Sequence, residues 1–474
     1  MRNKILWPHG SHEDATPLTS GPRQRPLRLT LHTDSQDLAD RQNSDAIDLL
    51  YELSSLPEID LLDFEGAKCP RIRIGEAPSG HGHYGLSVER PGGDTISFHA
   101  GIHSSRVDDG AVSLIFDMPN PHAECFRDAR QHLFALEAHS SLGRDLFVTL
   151  SPFILSRRDA LDYANPLTPL EASRLAGLVL RTRNNWVFHK SERASVATDR
   201  GMFYLVLARS KLPNFWRYFS ALVGSKAAYG DRLLRIGQSA LERCYRALQA
   251  RDEMAVQHYL PQNNNTRDLM MYHFDYVTLL LAGVFDAQAA IVNIVYELGV
   301  EHWNQGFRRK RFQEALRGRG LSVLLDILER ESCNNLMIML HNLRDTIHSA
   351  GLGTLGHLEP ARPEASYARV PEESREKLLA AAAQLGGPDV WGMERKSFLV
   401  HDQETGLNES SYHVLMEPLT YTTLLIDSWF EIFDSIAAAT EVERLFPDGP
   451  VDILRDAPPQ DWVEMIKRFS LMAP

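Results

Sequence analysis

Four residues whose types suit phosphate chemistry fall on one face of a single helix in the segment NNLMIMLHNLRDTIHSAG, residues 334–351. Helical spacing sets His341, Arg344, Asp345 and His348 at offsets of three, four and seven. Asn342 adds a neutral hydrogen-bonding group beside them, while Met337, Leu340, Leu343 and Ile347 supply apolar positions for packing. A polar stripe on an otherwise buried helix needs partners, or it lines a cleft. These residue types fit metal-free cleavage of RNA. A histidine near neutral pKa takes a proton from a ribose 2′-hydroxyl or returns one to the leaving oxygen. A guanidinium four residues away stabilises charge building on the phosphate. The attacking oxygen belongs to the substrate, so the expectation is an endoribonuclease that uses no metal and no cofactor.

Other constellations are weaker. The run FRRKRFQEALRGRG, Phe307–Gly320, reads as a basic turn, and Arg308, Arg309, Lys310 and Arg311 are its candidate RNA-backbone contacts. A solvated turn is the alternative. Arg183 and His189 form a second Arg/His pair, which straddles a helix end. His81, His83, His99 and His103 include HxH spacing, but no carboxylate or cysteine accompanies them, so they read as loop histidines rather than a metal site. Asp286 and Asn293, seven apart, read as hydrogen-bonded core residues. No GxxxxGK[ST], GxSxG or HExxH is present and no GxGxxG follows a strand to open a helix, so P-loop ATPase, kinase, serine hydrolase and zincin readings find no motif.

The elements that must position these residues divide the chain. Its 474 residues exceed one ordinary core; 43% are hydrophobic and 24% charged, as in globular proteins. The net charge of -12 argues against indiscriminate nucleic-acid binding but leaves room for a local basic groove. Cys69, Cys125, Cys244 and Cys333 form no CxxC pair. The N-terminus lacks a signal-like apolar core, and the apolar stretch Tyr276–Phe285 is too short to span a bilayer, so the expected location is the cytoplasm, with no membrane.

Residues 1–25 read as a flexible tail. Residues 26–155 read as an α+β domain with a regulatory or sensing role and an activating ligand or protein as its partner. Strands are expected at Leu27–Leu31, Glu58–Leu62, Arg71–Ile74, Tyr84–Val88, Thr95–Phe98 and Leu146–Leu150, with helices near Ser44–Leu56, Asp109–Met118 and Pro121–Leu136. A mainly α-helical part follows. It has a connecting region over 156–260, a bundle over 261–445 interrupted at 352–410, and an extension over 446–474. Thr168-Pro169-Leu170-Glu171 has the composition of a helix start. A long buried helix is expected at Asp268–Leu298, and a last one at Tyr412–Ala439 that Pro418 should kink.

The C-terminal half resembles the HEPN superfamily. The likeness is carried by the long helix ending in YELGVEHW, the basic turn, the LRDTIHSAGL helix end and the final helix. It implies a HEPN-like helical bundle and an Arg–polar–several–His motif, with Arg344 at the phosphate, Asp345 as the polar residue and His348 as acid/base. His341 and Asn342 would support them. It also implies RNA as partner, a homodimer with a composite site, and a setting as a toxin or antiviral defence effector. The spacing of three residues is one short of the family's usual minimum, and Asp345 stands where asparagine is commonest. The alternative is a non-catalytic HEPN-like dimerisation or ligand-sensing protein. At the N-terminus, the order strand, helix, strand, Cys-Pro, strand, hairpin and helix resembles a degenerate thioredoxin-like fold. Thr33–Asp37 offers no cysteine pair for redox work.

Overall fold

A computed structural model describes residues 5, 7, 16–18, 25–32, 40–65, 68–75, 82–116, 123–190, 195–197, 199–224, 231–349, 352–357, 365–401, 408–445 and 460–473. The chain divides into two compact units, one of Arg2–Val196 with Lys467–Pro474, the other of Ala197–Ile466. An N-terminal α/β sheet region is thus followed by a mostly helical part.

The first unit is built on β1 (Leu27–His32), β2 (Ile59–Asp63), β3 (Arg71–Ile74), β4 (His83–Glu89), β5 (Thr95–His103), β6 (Leu146–Thr149) and β7 (Pro166–Leu167). Their order across the sheet is β5-β4-β3-β2-β1-β6-β7, and β8 (Val187–Lys190) and β9 (Ser195–Ala197) pair in a separate two-stranded sheet. Pairing is parallel from β7 to β3 and antiparallel through β4 and β5. Leu146, Phe147 and Val148 are all buried, as strands covered on both faces require. Helices α2 (Ser104–Phe116) and α3 (Ala123–Ser141) share a core with Leu62, Ile72, Leu86, Val88 and Phe147. Helix α1 (Arg41–Leu53) packs with a later helix, Pro169–Thr182. That later helix starts as its sequence predicts: Thr168 Oγ1 accepts from the Glu171 N–H and Glu171 reaches back to the Thr168 N–H.

The expected connecting region divides at residue 197: Pro169–Thr182 belongs with the sheet, and the helices from Arg200 onward belong with the bundle. The C-terminal segment is also more than an extension. Gln460–Met472 is a helix, and its end receives Ser173 Oγ–H at Leu471 O and Arg181 Nη1–H at Met472 O, 2.7 and 2.8 Å.

In the second unit, Asp231–Tyr259 and Asn264–Val295 are long helices packed along each other. The second of them is long and apolar enough to cross a membrane by length and composition, a longer stretch than Tyr276–Phe285 suggests, yet 67% of its apolar window is buried. It behaves as the axis of a bundle with Glu331–Ser349 and Pro418–Ala439. An aromatic cluster fixes the core: Phe285 meets Trp429 and Phe307 at ring-centroid distances of 5.0 and 4.9 Å, and Phe307 meets Phe312 at 5.5 Å.

Three expectations are corrected here. The interruption at 352–410 carries β10 (Thr354–His357), β11 (Ala365–Arg369) and β12 (Met393–His401). With β13 (Asn408–Met416) they make an antiparallel sheet in the order β10-β11-β13-β12. Because β13 occupies the residues expected to begin the last helix, that helix starts at Pro418. The proline sits at its first turn, where the missing N–H costs nothing, and no kink arises from it. The basic turn is mostly helix, Lys310–Gly318, anchored by buried Phe312 and Leu316.

Candidate functional site

Helix Glu331–Ser349 buries Leu336, Met339, Leu340 and Leu343, and its polar stripe runs outward from the core. His341 is buried, Arg344 half-buried, and Asp345 and His348 exposed. Residues 350 and 351, the end of the predicted helix, lie outside the described residues.

His341, Arg344 and Asp345 line a cleft of about 900 Å³. Arg308 and Arg309 enter it from the segment that Phe307 and Phe312 hold in place, and Asp286 enters from the central helix. Helix Asp231–Tyr259 adds Arg232, Arg235 and Arg243. Sequence reasoning misses these three, although their spacing of three and eight places them on one helical face. Trp303 and His302 come from a short 3-10 turn, and Trp303 is 66% exposed.

The cleft is strongly cationic. Arg232, Arg235, Arg308 and Arg309 make no ion pair among the described residues. Arg344 Nη1 lies 3.5 Å from Asp345 Oδ1 in a half-exposed pair, which leaves its charge only partly offset. Arg243 donates to Gly283 O at 2.6 Å, and a side chain at Gly283 would collide with its guanidinium, so this glycine admits the arginine. Partial burial raises the pKa of the Asp286 carboxyl, against the lowering pull of Arg344, Arg243, Arg309 and Arg308.

His341 is the unusual member. Neither ring nitrogen has a hydrogen-bond partner among the described residues. Burial first, then Arg308 and Arg344, push its pKa down to about 3, so the ring is uncharged near neutrality. A neutral imidazole keeps one N–H to donate to an anion.

The remaining sequence candidates are placed elsewhere. His348 is not among the residues lining the cleft. Asn342 Nδ2 donates to Ile338 O at 2.7 Å and is spent within its own helix. Lys310 and Arg311 do not line the cleft; they pair loosely with Glu314 and Glu301 at 3.9 and 3.6 Å. Asn293 bridges to Val300 with two backbone bonds, a structural role. Arg183 donates to Pro17 O at 2.9 Å, and the His189 side chain lies outside the described residues. His83 and His103 meet across β4 and β5 with ring centroids 3.8 Å apart; His81 and the His99 side chain are outside the described residues.

Comparison of the chain with family models, with curated proteins and with solved structures finds no match.

Proposed function

We propose that this protein is a metal-independent endoribonuclease of HEPN type, which draws single-stranded RNA into the basic cleft. The observation that carries the reading is the convergence of Arg232, Arg235, Arg308 and Arg309 on one cleft with Trp303 beside them. In a chain of net charge -12, such a concentration of positive charge favours a polyanion. Guanidinium forks match pairs of phosphate oxygens. An exposed indole face takes a stacked base, which unpaired strands offer and duplexes do not.

In this reading Arg344 stabilises the charge of the phosphate as the ribose 2′-oxygen attacks. Neutral His341 backs Arg344 in the cleft wall without adding charge. His348, exposed one turn beyond Arg344, exchanges the proton, and the product carries a 2′,3′-cyclic phosphate. Assembly as a homodimer would complete the site, with the sheet unit sensing an activating ligand or protein in a toxin or defence effector. End-group analysis tests the chemistry: cyclic phosphate ends from RNA are expected, with DNA and 2′-O-methyl RNA left intact. Cleavage of 2′-O-methyl RNA would overturn it.

A second reading is favoured by one observation, that His348 does not line the cleft. The cleft would then bind an oligonucleotide without cutting it, as a sensor. Tight RNA binding with no product from the purified chain would select this reading.

A further inference from the structure

The carboxyl edge of the seven-stranded sheet carries a hydrogen-bonded chain that RNA cleavage does not use. His32 ends β1 and pairs in register with Thr149, the last residue of β6, and Ser151 follows two residues later. Strand β1 lies between β2, reached through α1, and β6 on its other side, so the strand order parts here. Crevices outside the carboxyl ends of strands at such a point are where open α/β sheets place ligands.

Helix α3 delivers His132 to this point. Its Nε2 lies 3.2 Å from Ser151 Oγ and its Nδ1 lies 3.1 Å from His32 Nε2. Ser151 precedes the short helix Pro152–Leu155, yet its side chain makes no capping bond and is turned to His132 instead. Its backbone N–H donates to Thr149 Oγ1 at 3.1 Å, which fixes the residue. The Phe153 ring stacks on His132 at 5.9 Å and Phe64 meets His32 edge-on at 5.4 Å. Both phenylalanines are only partly buried, so apolar surface flanks the polar chain.

We infer that Ser151, His132 and His32 form an acyl-transfer site that hydrolyses an ester of an apolar acyl group. Ser151 Oγ bonds to the acyl carbon while its proton passes to His132 Nε2. His32 Nε2 accepts from His132 Nδ1–H and so holds the ring and stabilises the imidazolium. The ester C–O bond then breaks, and the leaving alcohol takes the proton from His132. Water adds to the acyl-serine and gives a proton to His132. The carboxylic acid departs as Ser151 recovers its own proton. No oxidant or cofactor enters this balance. His32 acts through His132 and is a positioning residue. The absence of GxSxG does not bear on this site, because a serine–histidine relay is defined by geometry and roles rather than by local sequence.

The test is to treat the full chain with an alkyl fluorophosphonate and map adducts by peptide mass spectrometry, with p-nitrophenyl butyrate hydrolysis measured in parallel. One adduct on Ser151 is expected, with both adduct and hydrolysis lost in Ser151→Ala. His132→Gln should label roughly 100-fold more slowly. His32→Ala should also slow labelling, and His32→Gln, which retains an acceptor, should recover most of the loss. An unmodified Ser151 in the folded wild-type chain would overturn the proposal, whatever the variants do. So would a His132→Gln chain that labels at the wild-type rate.

Discussion

Burial and the neighbouring Arg308 and Arg344 leave the His341 ring uncharged, so the positive charge on this helix face falls to Arg344. In the proposed reaction, that division of labour would make Arg344 the residue whose loss exposes phosphate charge. In an RNA cleavage assay, Arg344→Ala and His348→Ala are each expected to lower the rate about 100-fold or more. A second consequence belongs to His139, fully buried against Phe147 at 5.5 Å, whose pKa burial lowers to about 3. The folded form resists the proton, so its stability is fully present above the ordinary histidine value, about 6.5, and falls as pH drops toward 3. His139→Leu should flatten that fall by about 1.4 kcal/mol per pH unit, read from denaturation at a series of pH values. An unchanged slope would show that His139 does not carry it.

The helix starts show how local chemistry fixes an element. Thr168→Ala removes an acceptor from a reciprocal cap and should cost about 1 kcal/mol of stability, measured by chemical denaturation. A cost near zero would mean that packing alone sets this helix end. The cap was legible in the sequence because its four residues carry the whole signal. The strands β1 to β6 were legible for a similar reason, since short apolar runs lie between turn residues. The hairpin of β12 and β13 was not. MERKSFLVH places three charged residues together at its start, and YHVLM continues without a break into the apolar run after Pro418, so both read as helix or loop. Helix Lys310–Gly318 was hidden by its charges, with only Phe312 and Leu316 marking a buried face. At the site, the sequence gathered His341, Arg344 and Asp345 because one helix holds them. It could not show that a distant helix brings Arg232, Arg235 and Arg243 to the same cleft, nor that His132 and Ser151 meet His32.

Across the molecule, an acidic chain gathers an excess of positive charge in a cleft of its helical unit. Binding of RNA there should weaken steeply with salt, because each neutralised phosphate releases counterions. Replacing Arg308 and Arg309 with glutamine is expected to weaken single-stranded RNA binding and to reduce the slope of log affinity against log salt by about 0.7 for each phosphate left without its arginine. Fluorescence anisotropy at several salt concentrations measures both. An unchanged slope would move the RNA path away from this cleft. Lys310 and Arg311, which lie outside the cleft, serve as the control pair: their replacement should alter the slope less.

Digestion of single-stranded RNA by the purified full chain in excess EDTA decides whether the basic cleft cuts RNA without a metal. Cleavage at the same rate with and without EDTA, lost in Arg344→Ala and His348→Ala, is the predicted result. Cleavage only after adding magnesium or manganese, or a His348→Ala chain that cuts as fast as the wild type, would contradict it.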